Sequence, residues 1–166
     1  MKSFLCLFVL TSLMLLLSCN STDNLKQKKR NVNQVMDSWH ESAAEAEYED
    51  YFNAMNEKSI FIGTDAGENW TKEEFQSFSK PYFDKGKAWS FKALERNIYF
   101  SQSGRVAWFD ELLNTWMGTC RGSGVLERTN NTWKIKHYVL SVCIPNEDMQ
   151  EVIVVKSLND SLFRAK

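Results

Sequence analysis

The sequence predicts an α+β fold: a strongly curved, mostly antiparallel β-sheet packed against N-terminal helices, cone-shaped and enclosing a pocket. Three observations predict it. Met36, Trp39, Ala43 and Ala46 recur at helical spacing. From Lys87 onward the period falls to two, with Trp89, Phe91 and Ala93 alternating with Ser90 and Lys92. Turn signals at SQSG (101–104) and Asn130-Asn131 then divide the second half into strands that pair as hairpins. Helices followed by a run of strands is the α+β order. A bent sheet closed by helices has an interior.

The chain opens with Lys2 and an apolar run, Phe4–Leu17, broken only by Thr11 and Ser12. A membrane span needs about 20 apolar residues, so this shorter run reads as a secretory signal. Leu16-Leu17-Ser18-Cys19 resembles the bacterial lipobox, whose cysteine takes the lipid. The alternative is an ordinary signal peptide that happens to contain a cysteine. The resemblance implies a signal peptide over 1–18, a lipid on Cys19, and a place in a bacterial cell envelope, anchored to the membrane. Residues 19–31 are polar, lack aromatics and read as a flexible tether. Lys26, Lys28, Lys29 and Arg30 either touch anionic head groups or are simply solvated.

The domain proper spans 32–147. Its first helix runs from Val32 to about Asp50. At about 3.6 residues per turn, His40, Glu47 and Tyr51 join the stripe of Met36 and Ala43, and a buried charge there needs a partner. A strand over Ser59–Thr64 follows. Thr71 and Glu74 form a capping box for a second helix, whose apolar face is Phe75, Phe78, Tyr82 and Phe83. Pro81 kinks or interrupts that helix, and Gly86 ends it. Past Lys87, Ile98 and Phe100 carry the opposite parity to Phe91 and Ala93, which calls for a bulge between Ala93 and Asn97. Val106, Trp108, Asp110 and Leu112 form one face of the next strand. Strands over Thr119–Arg128 and Thr132–Cys143 flank the Asn130-Asn131 turn. Residues 148–166 are a C-terminal helical extension or tail, with Asn146 as a cap and Met149, Val152 and Ile153 on an apolar side.

Pairing outward from Asn130-Asn131 sets Leu126 opposite Ile135, Gly124 opposite His137, Gly122 opposite Val139 and Cys120 opposite Ser141. Trp133, Ile135, His137 and Val139 then face the interior, with glycines leaving room beside them; a bulge is the other reading of Gly-Ser-Gly. Cys120 and Cys143 fall on a diagonal of about 7–8 Å, which strains a disulfide unless a bulge intervenes. Residues 31–166 hold 15 of the 20 Lys+Arg and 20 of the 21 Asp+Glu, a net charge of −5 before histidine. That balance argues against a nucleic-acid partner. No Gly-rich phosphate loop and no His/Cys cluster of zinc spacing occurs, so no cofactor and no metal are expected.

Six stretches carry a family resemblance: WHESAAEAEYEDYF (39–52), FIGTDAGENW (61–70), GKAWSF (86–91), VAWFDE (106–111), CRGSGVL (120–126) and WKIKHYVLS (133–141). In this order they resemble the SnoaL-like group of the nuclear-transport-factor-2-like superfamily. The resemblance implies a cone-shaped domain with an internal pocket, often a homodimer through the sheet; Tyr138, Leu140 and Val142 would supply that face. The group includes isomerases, cyclases and dehydratases alongside members without established activity, so fold does not settle function. Glu47 stands where an aspartate is expected. FIGTDAGENW would join strand to helix at the pocket rim, with Trp70 walling the opening and Asp65 and Glu68 capping the helix start.

Asp110, among apolar neighbours, would have a raised pKa and serve as a general base; a solvated or paired carboxylate is the plainer reading. His137 and Tyr51 are the candidate proton donors. His40, Glu47, Trp70, Trp89, Trp108 and Arg121 are the candidate ligand contacts, although His40 reads first as a satisfied core histidine and Glu47 first as a structural partner for His40 or Arg121. Two functions fit: binding of a small, largely apolar molecule in an aromatic pocket, or cofactor-free isomerase, cyclase or dehydratase chemistry on Asp110.

Overall fold

The computed structural model describes residues 24–166. The expected signal peptide and the lipidation site Cys19 lie outside the described residues. A helix, α1, occupies 24–44, so the segment expected as a tether is already helical from residue 24. Its buried face is Val32, Met36, Trp39, His40 and Ala43, the predicted stripe. The helix stops earlier than the stripe predicts. Ala46 takes a left-handed φ of 58°, and Glu47 N–H donates to the Ser42 carbonyl (2.8 Å) while Ala46 N–H donates to that of Ala43 (3.3 Å). Those two bonds are the Schellman closure of a helix end, here without glycine. A separate short helix, α2 (Tyr48–Asn53), follows and buries Tyr51 and Phe52.

The remaining elements are β1 (Met55–Ile62), β2 (Asn69–Thr71), α3 (Lys72–Phe83), β3 (Lys92–Phe100), β4 (Val106–Thr115), β5 (Gly118–Thr129), β6 (Thr132–Val142), a 3₁₀ turn (Asn146–Asp148) and α4 (Met149–Arg164). Together they confirm the α+β class. The six strands form one sheet in the order β2-β1-β6-β5-β4-β3. The sheet is open, with β2 and β3 as its edges. Only β1 and β6 run parallel; the other neighbours are antiparallel.

The capping box forms as expected. The Thr71 hydroxyl accepts from Glu74 N–H, and the Glu74 carboxylate accepts from Thr71 N–H. Pro81 sits inside α3, which continues to Phe83. Asp65 and Glu68 do not cap this helix. They brace the β1–β2 turn: Gly67 N–H donates to Asp65 Oδ1 (2.8 Å) and Asp65 N–H to Glu68 Oε2 (3.1 Å).

Two bulges decide which side chains face the core. One lies between Ala93 and Glu95 in β3, where the parity change predicted it. The other is in β6. Leu126 pairs Ile135 as expected, but Val125 pairs His137, so Lys136 is an extra residue and every later pair shifts by one. Trp133 and Ile135 are buried before the bulge, Tyr138 and Leu140 after it. His137 and Val139 therefore lie on the outer face, and Tyr138 and Leu140 leave the face expected to meet a second copy. The same shift sets Cys120 opposite Val142; Cys120 and Cys143 are both free thiols.

Candidate functional site

The strand-to-turn stretch at 60–70 builds one wall of a cavity. Inward-facing Phe61 on β1 stacks on Phe75 of α3 at 3.9 Å and 15°. Trp70, on the paired β2, lies nearly parallel to Phe75 (5.6 Å, 11°) and Phe78 (4.5 Å, 24°). Trp89 continues the set at 5.8 Å and 26° from Phe75. These rings and Phe91, Trp116, Met117 and Leu140 line a cavity of about 140 Å³, to which Thr64 and Glu68 bring the polar side chains. Trp116 and Met117 form the β4–β5 turn at its mouth, and Trp116 is 81% exposed. A larger groove of about 450 Å³ beside α1 and the β5–β6 turn is open, with Asn31, Gln34, Ser38, Asp50 and Lys134 in its lining beside Val35 and Trp133.

Behind the aromatic set lies a buried ionic cluster. Glu111 on β4 is 1% exposed. His40 Nε2 lies 2.9 Å from its Oε1, and Tyr138 O–H donates to the same oxygen at 3.1 Å. Arg96 Nε donates to Oε2 at 2.8 Å, and Arg96 Nη1 continues to Asp37 Oδ1 at 2.7 Å. Burial pushes the Glu111 carboxyl up. The His40 hydrogen bond and charge, with the Arg96 guanidinium, outweigh it and hold the carboxyl below the usual range. Burial, then the Glu111 charge, pushes the Tyr138 phenol far up, so Tyr138 remains a donor. Gly122 makes room for this cluster: a Cβ there would stand 2.8 Å from Glu111 Oε1 and closer still to the Tyr138 hydroxyl. His40 also borders a cleft of about 310 Å³ with Asp37, Glu41, Lys92 and Phe91. Phe91 is thus shared between that cleft and the aromatic cavity.

The predicted residues fall into two groups. Trp70 and Trp89 wall the cavity, His40 joins the buried cluster, and Tyr51 sits in the core. Tyr51 stacks on Trp39 (4.8 Å, 19°) and meets Trp89 edge-on at 5.6 Å. Asp110, Trp108, His137, Arg121 and Glu47 are elsewhere. Asp110 and Trp108 share the outer face of β4, since Ala107, Phe109, Glu111 and Leu113 are the buried set. Asp110 accepts from Asn97 Nδ2 (3.2 Å), and Trp108 stacks on Tyr99. The β6 bulge carries His137 out to join exposed Arg121, and the turn at Ala46 leaves Glu47 exposed.

Glu111, Arg96 and Trp116 were missed. β4 is apolar on both faces, so alternation alone does not orient it. A signal for Glu111 existed. Pairing outward from a two-residue turn at Trp116-Met117 brings Gly122 opposite Glu111, and a glycine facing an acid on an otherwise apolar face marks a space being kept. Among the described residues no group of His, Cys, Asp and Glu could hold a metal ion.

Residues 32–145 match the model of the SnoaL-like domain family. No curated protein matches the chain. An NTF2-like protein of unknown function from Pseudomonas putida KT2440 superposes with a TM-score of 0.58 at 10% identity, covering 70% of this chain and 87% of that one. A scytalone dehydratase candidate from Novosphingobium aromaticivorans gives 0.61 at 12%, over 74% and 89%. The association domain of C. elegans CaMKII gives 0.58 at 17%, over 72% and 99%. At these identities the likeness is one of fold.

Proposed function

The chain belongs to the SnoaL-like domain family, and on that footing we propose that it binds a small, flat, largely apolar molecule in the aromatic cavity between β1, β2 and α3. One observation carries this reading. Phe61, Trp70, Phe75 and Trp89 lie within about 26° of parallel with their stacked neighbours, around a space of about 140 Å³. A dry apolar cavity of about 150 Å³ holds benzene, so the space suits one ring. A wall of near-parallel aromatic faces favours a flat ligand, which stacks on such faces with an offset. Thr64 and Glu68 would meet its polar end.

The test is ¹⁹F NMR with 4-fluorotoluene, against fluorocyclohexane as a non-flat probe of similar size. The aromatic probe is expected to bind, to outcompete the other, and to weaken about tenfold in Trp70→Ala, a loss of about 1.4 kcal/mol. Equal binding of both probes, or none at millimolar concentration, defeats the reading.

An acid–base reading rests on a different group from Asp110. His40 borders a cleft and is oriented by buried Glu111, the base-plus-orienter arrangement that such chemistry needs. Deuterium exchange next to the carbonyl of cyclohexanone, lost in His40→Asn, would favour an isomerase, cyclase or dehydratase. Exchange at the rate of buffer alone would remove that reading.

Two partners complete the proposal. A lipid on Cys19 would hold the domain at a bacterial envelope membrane; labelled palmitate incorporation, absent from Cys19→Ser, tests it. The outer sheet face, where Tyr99, Trp108, Val125, His137 and Ile60 pair in one row across five strands, would meet a second copy, a contact that Trp108→Glu should break.

A further inference from the structure

We propose that α4 is a self-pairing helix, which docks antiparallel on the α4 of a second copy of this chain. The helix begins at Met149, beyond the family match that ends at residue 145. None of its residues is buried, although it carries Val154, Val155, Leu158 and Leu162. Val155 is 82% exposed, Leu158 69% and Leu162 59%. A helix of this length gains little from propensity alone, because stability in proteins comes from packing an apolar face.

The spacing of that face identifies the occupant. Glu151, Val155, Leu158, Leu162 and Ala165 advance by four, three, four and three, the stripe of a two-helix seam. Lys156 and Asp160 pair on the opposite side of the helix at 3.3 Å. The seam is also self-complementary about a twofold axis. With the twofold axis between Leu158 and Asn159, Leu158 lies close beside its own copy, Val155 lies across from Leu162, and Glu151 lies across from Lys166, two residues past the helix end. A twofold contact needs such matching of a patch to itself. The ends agree with it: Glu147, Asp148 and Glu151 make one end acidic, and Arg164 and Lys166 make the other basic. Antiparallel pairing lays each acidic end on a basic one, and a parallel pair would stack like on like.

The test is sedimentation velocity of the full chain over a range of concentrations, in wild type and in Trp108→Glu, so that helix and sheet contacts read separately. Leu158→Glu is expected to raise the dissociation constant by about tenfold or more, since it sets two acids together at the axis. Glu151→Lys should weaken association likewise, and Glu151→Lys with Lys166→Glu should restore it. Leu158 is exposed, so circular dichroism is expected to show an unchanged fold. Association that ignores Leu158→Glu overturns the proposal. So does a double charge swap that fails to rescue, which excludes the antiparallel register. A wild type that stays monomeric, with α4 protected only on anionic phosphatidylglycerol vesicles, would give the helix to a lipid surface and overturn it too.

Discussion

Glu111 shows how much one side chain carries. Its two oxygens collect His40, Tyr138 and Arg96 from α1, β6 and β3, so one carboxylate ties three elements of the core together. Removing one partner of a buried ion pair leaves the other uncompensated. Glu111→Gln should therefore cost about 3 kcal/mol, read from urea unfolding. The pH dependence has a definite sign. The folded carboxyl titrates below its unfolded value, so its contribution is fully present above the ordinary carboxylate range and is lost as pH falls through the folded value. Unfolding midpoints measured from pH 6 downward should fall on that acid limb, and Glu111→Gln should flatten it. Gly122→Ala tests the same cluster from outside. The added methyl meets Glu111 and the Tyr138 hydroxyl at once, and an overpacked site of this kind loses about 1–3 kcal/mol. At the cavity mouth, Trp116→Ala should weaken binding of 4-fluorotoluene without moving the melting temperature, because Trp116 is exposed and touches the site only from its rim.

Among the elements, local chemistry was legible and face assignment was only partly so. The capping box of α3 is written in Thr71 and Glu74, and it formed. Thr71→Ala should cost about 1 kcal/mol by thermal unfolding. The Asn130-Asn131 turn was equally plain. Both residues take positive φ, 50° and 65°, which asparagine tolerates in a two-residue hairpin. The bulge in β3 was readable because it reverses the parity of aromatic residues. The bulge at Lys136 was not, because Trp133, Ile135, Val139 and Leu140 leave apolar choices on either side of it. One inserted residue then exchanged His137 and Val139 for Tyr138 and Leu140 at the core. Deleting Lys136 should remove the extra residue while leaving Val125 opposite His137, so that His137 stays on the outer face and Tyr138 stays on Glu111. The expected outcome is retained cooperative unfolding with the near-UV circular dichroism of the native core; loss of that signal would mean that the bulge itself is needed to seat Tyr138. The end of α1 was illegible for another reason: Ala46 enters the left-handed region without a glycine or asparagine to announce it.

At the scale of the whole molecule, what holds the domain together and what holds copies together occupy separate surfaces. The core, the aromatic cavity and the Glu111 cluster all lie between α1, α2, α3 and one face of the sheet. The outer sheet face and α4 take no part in them. A chain ending at Pro145 should therefore melt within about 0.5 kcal/mol of the full chain, as expected for changes away from buried features, and should keep its aromatic-probe affinity. The helix itself should behave in the opposite way. With no apolar face covered, isolated α4 has only about four turns of hydrogen bonds to hold it. Its amides should exchange rapidly in dilute solution and slow as concentration rises, while the amides of β4 and β5 stay equally protected throughout. Hydrogen exchange at two concentrations, resolved to peptides of α4 and of the sheet, checks this directly. Protection of α4 that does not change with concentration would mean that the helix is stabilised within one chain and that the two sets of surfaces are not separate.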